Sequence, residues 1–269
     1  MDDDSTRRTG VAIRVAVVGA GGRMGAEVCR AVDAADGLEL VAAVDPSADG
    51  TSPAGVEDGP TIVAAIGDLD GDRVDVAVEF TTPDTVRANV EALLAAGIHV
   101  VVGATGMDGD DLAAVEGAAT DADRHVFVAP NFAIGAVLMM QFAAEAARHL
   151  PDIEIIERHH DGKVDAPSGT ALRTADMVAD ARTTDVEPVG GDDRHPGARG
   201  FTHRGVPVHA VRLPGLVAHQ EVVAGGVGET LTIRHDSIDR SSFMPGVVLA
   251  VRAVADLDAP LVVGLEHLL

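Results

Sequence analysis

Between residues 11 and 131 one pattern recurs: a short run of β-branched residues, a turn rich in glycine, threonine or asparagine, then a stretch of helical periodicity. Strands that short, each followed by a helix, imply an α/β fold built on a parallel, doubly wound sheet. The first repeat is the most restrictive. Residues 11–18 run into Gly19-Ala20-Gly21-Gly22-Arg23-Met24-Gly25, and a helical pattern continues through Ala35. In that setting glycines let a pyrophosphate approach the backbone, and the helix N-terminus favours its charge. The spacing departs from the strict dinucleotide fingerprint, because the last glycine falls one place late, at Gly25. The next run, 38–44, ends at Asp45, 20 residues beyond Gly25. At that interval an acidic side chain accepts from the adenosine ribose.

The later repeats are read in the same way. Residues 74–80 form a strand followed by Thr81-Thr82-Pro83-Asp84, where Thr81 or Thr82 caps a helix to about residue 96. Residues 98–102 end in Gly103-Ala104-Thr105-Gly106, a helix covers about 109–119, and the strand 125–128 ends in Ala129-Pro130-Asn131-Phe132. Ligands of such sheets bind beyond the carboxyl ends of the strands. Asp45, Thr81, Gly103, Ala104, Thr105 and Asn131 are therefore expected around one crevice.

From about residue 132 the pattern changes. A helix over 134–150 and a strand over 153–156 lead into the stretch 157–170, ERHHDGKVDAPSGT, and a helix over 168–181. Residues 182–205 have no clear period and are expected as loop with, at most, short strands. The runs 206–212, 217–224 and 230–235 alternate like strands of a mostly antiparallel second sheet. Ser241 or Ser242 is expected to cap a closing helix that returns to the first domain. The expected organisation is a dinucleotide-binding domain of residues 1–131 and 242–269 around a second α+β domain of residues 132–241.

The stretch 157–170 carries the chemistry. Lys163 is the sole lysine among 20 basic residues. A lysine can be tuned to release a proton near neutral pH, whereas an arginine cannot. Beside it stand His159 and His160, and the Ser168-Gly169-Thr170 turn opens a helix whose free N–H groups suit a carboxylate or phosphate. Metal ligation is not expected, since no Cys/His/Glu cluster at ligand spacing accompanies the adjacent histidines.

Composition sets limits on partners. Acidic residues outnumber basic ones 43 to 20, giving a net charge of −23. That excludes nucleic acid and anionic membranes as partners and suits an acidic surface adapted to high salt. No apolar run is long enough to span a membrane, and a cytoplasmic location is expected. Aromatic residues make up 2% of the chain, so its core is built from Val, Ala, Leu and Ile. The one cysteine, Cys29, permits no internal disulfide.

Read together, VAVVGAGGRMG at 15–25, EFTTP at 79–83, GATG at 103–106, APNF at 129–132, EIIERHHDGKVDAPSGTA at 154–171 and VHAVRLPGLVAHQEV at 208–222 resemble the dihydrodipicolinate reductases of lysine and diaminopimelate synthesis. The resemblance implies a dinucleotide-binding domain with an α+β substrate domain, assembled as a homotetramer through the latter. It implies that His159 is the acid/base residue and Lys163 the proton donor. His160, Ser168, Gly169 and Thr170 would bind a cyclic dicarboxylate. Gly19, Ala20, Gly21, Gly22, Arg23, Met24, Asp45, Gly103, Ala104, Thr105, Ala129, Pro130, Asn131 and Phe132 would bind NADH or NADPH. The implied reaction reduces 4-hydroxy-tetrahydrodipicolinate to tetrahydrodipicolinate with loss of water.

One departure bears on the cofactor. Where many relatives follow the ribose-binding acid with an arginine for the 2′-phosphate, this chain has Pro46. Asp45 itself repels a phosphate, so NADH is expected to be preferred, with NADPH usable through Arg23. Two other readings are an aspartate- or homoserine-type dehydrogenase and a non-catalytic nucleotide sensor on the same fold. The first leaves the HHxxK and PSGT blocks unexplained, and the second leaves the His159/Lys163 pair unexplained.

Overall fold

The computed structural model describes residues 12–184, 186, 193–195 and 197–269. They fall into two compact units: residues up to Ala129 with Gly246–Leu268, and Pro130–Pro245 with Leu269. In chain order the regular elements begin with β1 (Ile13–Val18), α1 (Arg23–Ala34), β2 (Leu38–Val44), β3 (Ile62–Val63), β4 (Val76–Glu79), α2 (Val86–Ala95), β5 (His99–Val102), α3 (Gly109–Ala122) and β6 (Val126–Val128). They continue with α4 (Ile134–Ala147), β7 (Asp152–His159), α5 (Gly169–Ala181), β8 (Phe201–His203), β9 (Val206–Arg212), β10 (Ala218–Gly226), β11 (Glu229–Ser237), α6 (Met244–Ala253) and β12 (Leu261–Val263).

The first unit is a seven-stranded sheet in the order β12-β6-β5-β4-β1-β2-β3, with every pairing parallel. The order reverses between β1 and β4, the switch point at which doubly wound sheets bind ligands. Val15, Ala16 and Val17 of β1 and Val100, Val101 and Val102 of β5 are wholly buried. Continuous β-branched burial of this kind belongs to a sheet covered on both faces. Registers pair Val18 with Val44 and Glu79, Glu79 with Val102, and Val102 with Val128. These strands therefore end level, and Gly19, Asp45, Phe80, Gly103 and Ala129 leave the sheet at one edge. β12, only three residues long, carries too little periodicity to be visible in sequence; it is fixed by pairing with β6.

The second unit is a five-stranded sheet in the order β11-β10-β7-β9-β8. Three pairings are antiparallel and β7–β9 is parallel, because the chain returns from β7 to β9 through α5 and β8. β7 is longer than its apolar run suggests. Glu157, Arg158 and His159 break the hydrophobic pattern, yet they pair with β10 on one side and β9 on the other. Neighbouring strands, not local propensity, extend the ladder. α4 and α5 pack on each other and on this sheet.

Two helix starts differ from expectation. α2 begins at Val86, whose N–H reaches the Thr82 carbonyl, and the Thr81 hydroxyl bonds Glu79 instead of capping. At the closing helix, Asp239 accepts from the Ser241 N–H at 2.7 Å and opens a 3-10 turn at Arg240–Phe243, so α6 begins only at Met244. The Ser241 and Ser242 hydroxyls donate back to the Asp239 carboxylate and carbonyl, so Asp239 takes the capping role expected of the serines.

Candidate functional site

In the first unit the glycine turn is built from contacts that only glycine allows. Gly19 has φ +86, its N–H donates to the Val44 carbonyl at 2.8 Å, and a Cβ there would lie 2.7 Å from the Phe80 carbonyl oxygen. A Cβ on Gly21 would lie 2.7 Å from that of Ala48. At Gly25 it would lie 2.0 Å from the Gly19 carbonyl oxygen, so the late glycine is the one that packs α1 against the turn. Ala20 is buried beneath the turn, and Gly22, Arg23 and Met24 form the start of α1.

Asp45 braces this turn. One carboxylate oxygen accepts from the Gly21 N–H at 3.0 Å, and the other accepts from the Ser47 N–H at 2.8 Å and the Ser47 hydroxyl at 2.6 Å. Burial pushes the Asp45 carboxyl up, but those three donors outweigh it and hold the group below its ordinary range. A cleft of about 730 Å³ opens beside Gly19, Gly22, Asp45, Ser47, Thr81 and Asn89. Its mostly apolar wall and a backbone cradle that any Cβ would fill suit a nucleotide.

Of the other expected cofactor residues, Gly103 lies next to this edge. Its N–H donates to the Glu79 carbonyl at 2.9 Å, and a Cβ would overlap the Phe80 ring at 2.0 Å. Ala104 and Thr105 follow it, and the Ala129 N–H donates to the Val102 carbonyl at 3.1 Å. Pro130, Asn131 and Phe132 belong to the second unit. There Asn131 donates to the Thr170 hydroxyl at 3.2 Å and accepts from the Ala133 N–H at 2.9 Å, while Phe132 is buried. Asp45 and Thr81 line the cleft of the first unit, and within the second unit Asn131 is bonded to Thr170.

The second unit centres on Glu157, a carboxylate with 0% exposure in the middle of a sheet. Its oxygens meet donors only. His159 Nδ1 lies 2.5 Å from Oε2, Arg212 donates to Oε2 at 2.8 Å and to Oε1 at 2.9 Å, and the Ser168 N–H donates to Oε1 at 3.1 Å. Burial pushes the Glu157 carboxyl up, and the hydrogen bonds and charges of His159 and Arg212 overcome it, leaving the group below its ordinary range. An ionised Glu157 requires the proton of neutral His159 to sit on Nδ1, which leaves Nε2 free to exchange one.

Lys163 follows on the loop after β7, and its ammonium lies 2.8 Å from Asp165 Oδ1. The Lys163 partner is the main reason the Asp165 carboxyl titrates below its ordinary range. His160 is exposed, and Gly169 and Thr170 occupy the first turn of α5. Ser168 is 2% exposed, and its hydroxyl accepts from the Ala171 N–H at 3.2 Å, so this side chain starts the helix. The Ala166–Pro167 peptide bond ahead of it is cis.

Several site residues had no signal in the motif. His159 and Thr170 share a small cavity with His219, Gln220 and His235. His219 Nδ1 lies 2.6 Å from Asp236, and burial lowers the His235 imidazole. The Thr174 hydroxyl donates to the Thr170 carbonyl at 2.7 Å and so accepts from Gln220 Nε2, also at 2.7 Å. That assignment leaves Gln220 Oε1 buried with no partner among the described residues. Among the described residues no group of three or more His, Cys, Asp or Glu is arranged to hold a metal ion, and no helix is long and apolar enough to cross a membrane.

The first unit offers a cleft with a glycine cradle, and the second an imidazole on a buried carboxylate; hydride chemistry needs groups of both kinds, because a reduced centre must also take a proton. The fold and the site define a pyridine-nucleotide-dependent reductase. Residues 13–132 match the family model described as "Dihydrodipicolinate reductase, N-terminus", and residues 135–269 match "Dihydrodipicolinate reductase, C-terminus". The chain therefore belongs to the dihydrodipicolinate reductase family. It is 51% identical over 258 residues to a 4-hydroxy-tetrahydrodipicolinate reductase of Beutenbergia cavernae, covering 94% of this chain and 97% of the relative. It is 45% identical over 267 residues to one from Desulfitobacterium hafniense, covering 96% and 98%. A solved structure of a dipicolinate-bound dihydrodipicolinate reductase from Paenisporosarcina sp. TG-14 superposes with a TM-score of 0.83 at 39% identity, covering 96% of this chain and all of that one.

Proposed function

We propose that the protein reduces 4-hydroxy-tetrahydrodipicolinate to tetrahydrodipicolinate with loss of water, as a step of lysine and diaminopimelate synthesis in the cytoplasm, and works as a homotetramer. The observation that carries the reading is the buried Glu157 carboxylate against His159 Nδ1 at 2.5 Å, with the sole lysine of the chain four residues after that histidine.

The Gly19–Gly22 backbone, the start of α1 and Asp45 would hold the dinucleotide, with Gly103, Ala104, Thr105 and the 129–132 turn around it. The bound nicotinamide supplies the hydride. The ring carries two carboxylates, for which Lys163, His160, the Thr170 hydroxyl and the N–H groups of Gly169 and Thr170 are the complementary donors. Ser168 contributes by starting the helix that presents those N–H groups. Reduction of a conjugated imine leaves an enamine-like carbon that must be protonated. His159 holds the exchangeable proton at Nε2, and the Glu157 carboxylate stabilises the imidazolium form. Lys163 is the proton donor, and its ammonium also draws the anionic ring into place.

NADH is the preferred cofactor in this reading. Asp45 is an ionised acceptor whose Oδ2 takes one hydrogen bond, from the Gly21 N–H, and so keeps a lone pair for a ribose hydroxyl, while Pro46 supplies neither charge nor N–H to a 2′-phosphate. Arg23 at the head of α1 leaves NADPH usable. A coupled assay with the synthase that makes the hydroxylated ring tests the proposal on wild type, Lys163→Ala and His159→Gln. Ring-dependent oxidation of NADH is expected in wild type, with kcat falling about 10²-fold in each variant. Absence of ring-dependent oxidation would refute the function, and near-normal turnover in one variant would refute that residue's role.

A further inference from the structure

We propose that Arg212 is the positioning residue that holds His159 and Lys163 in fixed relation, acting on one through Glu157 and on the other through the loop backbone. The inference rests on the reductase reading above.

The placement follows from strand register. β9 runs parallel to β7 with Arg212 opposite His159, and the Leu213 N–H donates to the His159 carbonyl at 3.0 Å. From there the guanidinium reaches five acceptors. Nη1 donates to Glu157 Oε2 at 2.8 Å and to the Val211 carbonyl at 2.8 Å. Nη2 donates to Glu157 Oε1 at 2.9 Å and to the Asp165 carbonyl at 2.5 Å. Nε donates to the Lys163 carbonyl at 3.2 Å. A guanidinium has five N–H donors in one rigid plane, and here each has an acceptor.

Two of those acceptors form the carboxylate that orients His159. Two more are the carbonyls on either side of Val164, in the loop that carries Lys163. The Lys163 ammonium in turn bonds the Asp165 side chain, so the tethered backbone sets where that charge sits. A single planar group thereby fixes the separation between the imidazole and the ammonium. Charge neutralisation of Glu157 alone would need none of the loop contacts, and a lysine would supply it as a point charge.

The test compares wild type, Arg212→Lys and Arg212→Gln in the coupled assay, with NADH binding and melting temperature measured on each. NADH affinity is expected to stay within about twofold, since the glycine turn and Asp45 that would hold the dinucleotide share no hydrogen-bond partner with Arg212. Both variants are expected to lose about 10²-fold in kcat through misplacement of the two groups. Arg212→Lys should recover most of the melting temperature lost in Arg212→Gln without recovering kcat. The acid limb of the Arg212→Gln profile should move to higher pH, because Glu157 loses a partner that keeps it ionised. Near-wild-type kcat in Arg212→Lys would overturn the proposal and leave Arg212 as a counter-charge. So would near-wild-type kcat in folded Arg212→Gln. If Arg212→Gln does not fold, Arg212→Lys decides alone. Should wild type itself show no ring-dependent turnover, the reductase reading fails, and imidazole ¹⁵N shifts decide the positioning claim without substrate. A His159 held in one Nδ1–H form in wild type and mixed in the variants supports it; no change overturns it.

Discussion

Replacing Glu157 with glutamine isolates the carboxylate's contribution to the chemistry while keeping its shape. In wild type this side chain accepts four hydrogen bonds, from His159, twice from Arg212, and from the Ser168 N–H, and donates none. An amide turns one of the two oxygens into an N–H₂ group. If that group takes the Oε1 position, it faces Arg212 and the Ser168 N–H, donor against donor. If it takes the Oε2 position, it faces His159 and Arg212, and His159 must present Nδ1 as an acceptor. The proton then moves to Nε2, and the imidazolium loses its counter-charge. The interaction removed is charge-assisted, worth about 1.5–3 kcal/mol, which corresponds to roughly ten- to a hundred-fold in kcat. The assay is steady-state kcat with saturating ring and NADH, beside the NADH dissociation constant, which should not move. Linkage adds a second reading. The folded-state pKa of Glu157 is depressed, so its stabilisation is complete above the unfolded value and is lost as pH falls through the folded one. The melting-temperature gap between wild type and Glu157→Gln should therefore be widest near neutrality and close on acidification. A kcat equal to wild type, or a gap that widens in acid, would refute the reasoning.

Asp45→Asn should shift the kcat/KM ratio toward NADPH, because it removes a like charge whose repulsion amounts to about 1 kcal/mol in water and about 4 kcal/mol in a partly shielded site; an unchanged ratio measured at low salt would count against Asp45 as the discriminating group. Ser168→Ala removes the bond to the Ala171 N–H and should cost about 1 kcal/mol of stability, read by urea unfolding, with a smaller effect on kcat than Lys163→Ala. With a net charge of −23, melting temperature should rise on adding potassium chloride, as screening relieves self-repulsion; a maximum in dilute buffer would contradict a salt-adapted surface.

Much of the first unit was legible because its signals are local. A strand that must turn sharply into a helix needs a residue at Gly19 that tolerates φ +86, and a residue at Gly25 with no Cβ to strike the Gly19 carbonyl. Asp45 was equally visible, since a strand end and a residue interval place it. The lone Lys163 and its two histidine neighbours stood out through residue type alone. Short strands such as β3 and β12 were not visible, because two or three residues carry no period and take their form from a neighbour's ladder, whereas β8 falls where short strands were allowed for.

What tertiary structure decided is how the motif is held. Nothing within residues 157–170 indicates that Glu157 is wholly buried, or that an arginine 55 residues away neutralises it. The parallel pairing of β7 with β9 brings Arg212 opposite His159, and the antiparallel pairing with β10 brings His219 and Gln220 alongside. A buried charge is tolerable only where the fold has already collected its donors. Residue type and spacing name the groups able to move a proton; strand register, which depends on the whole sheet, determines which of them are desolvated, paired and aimed.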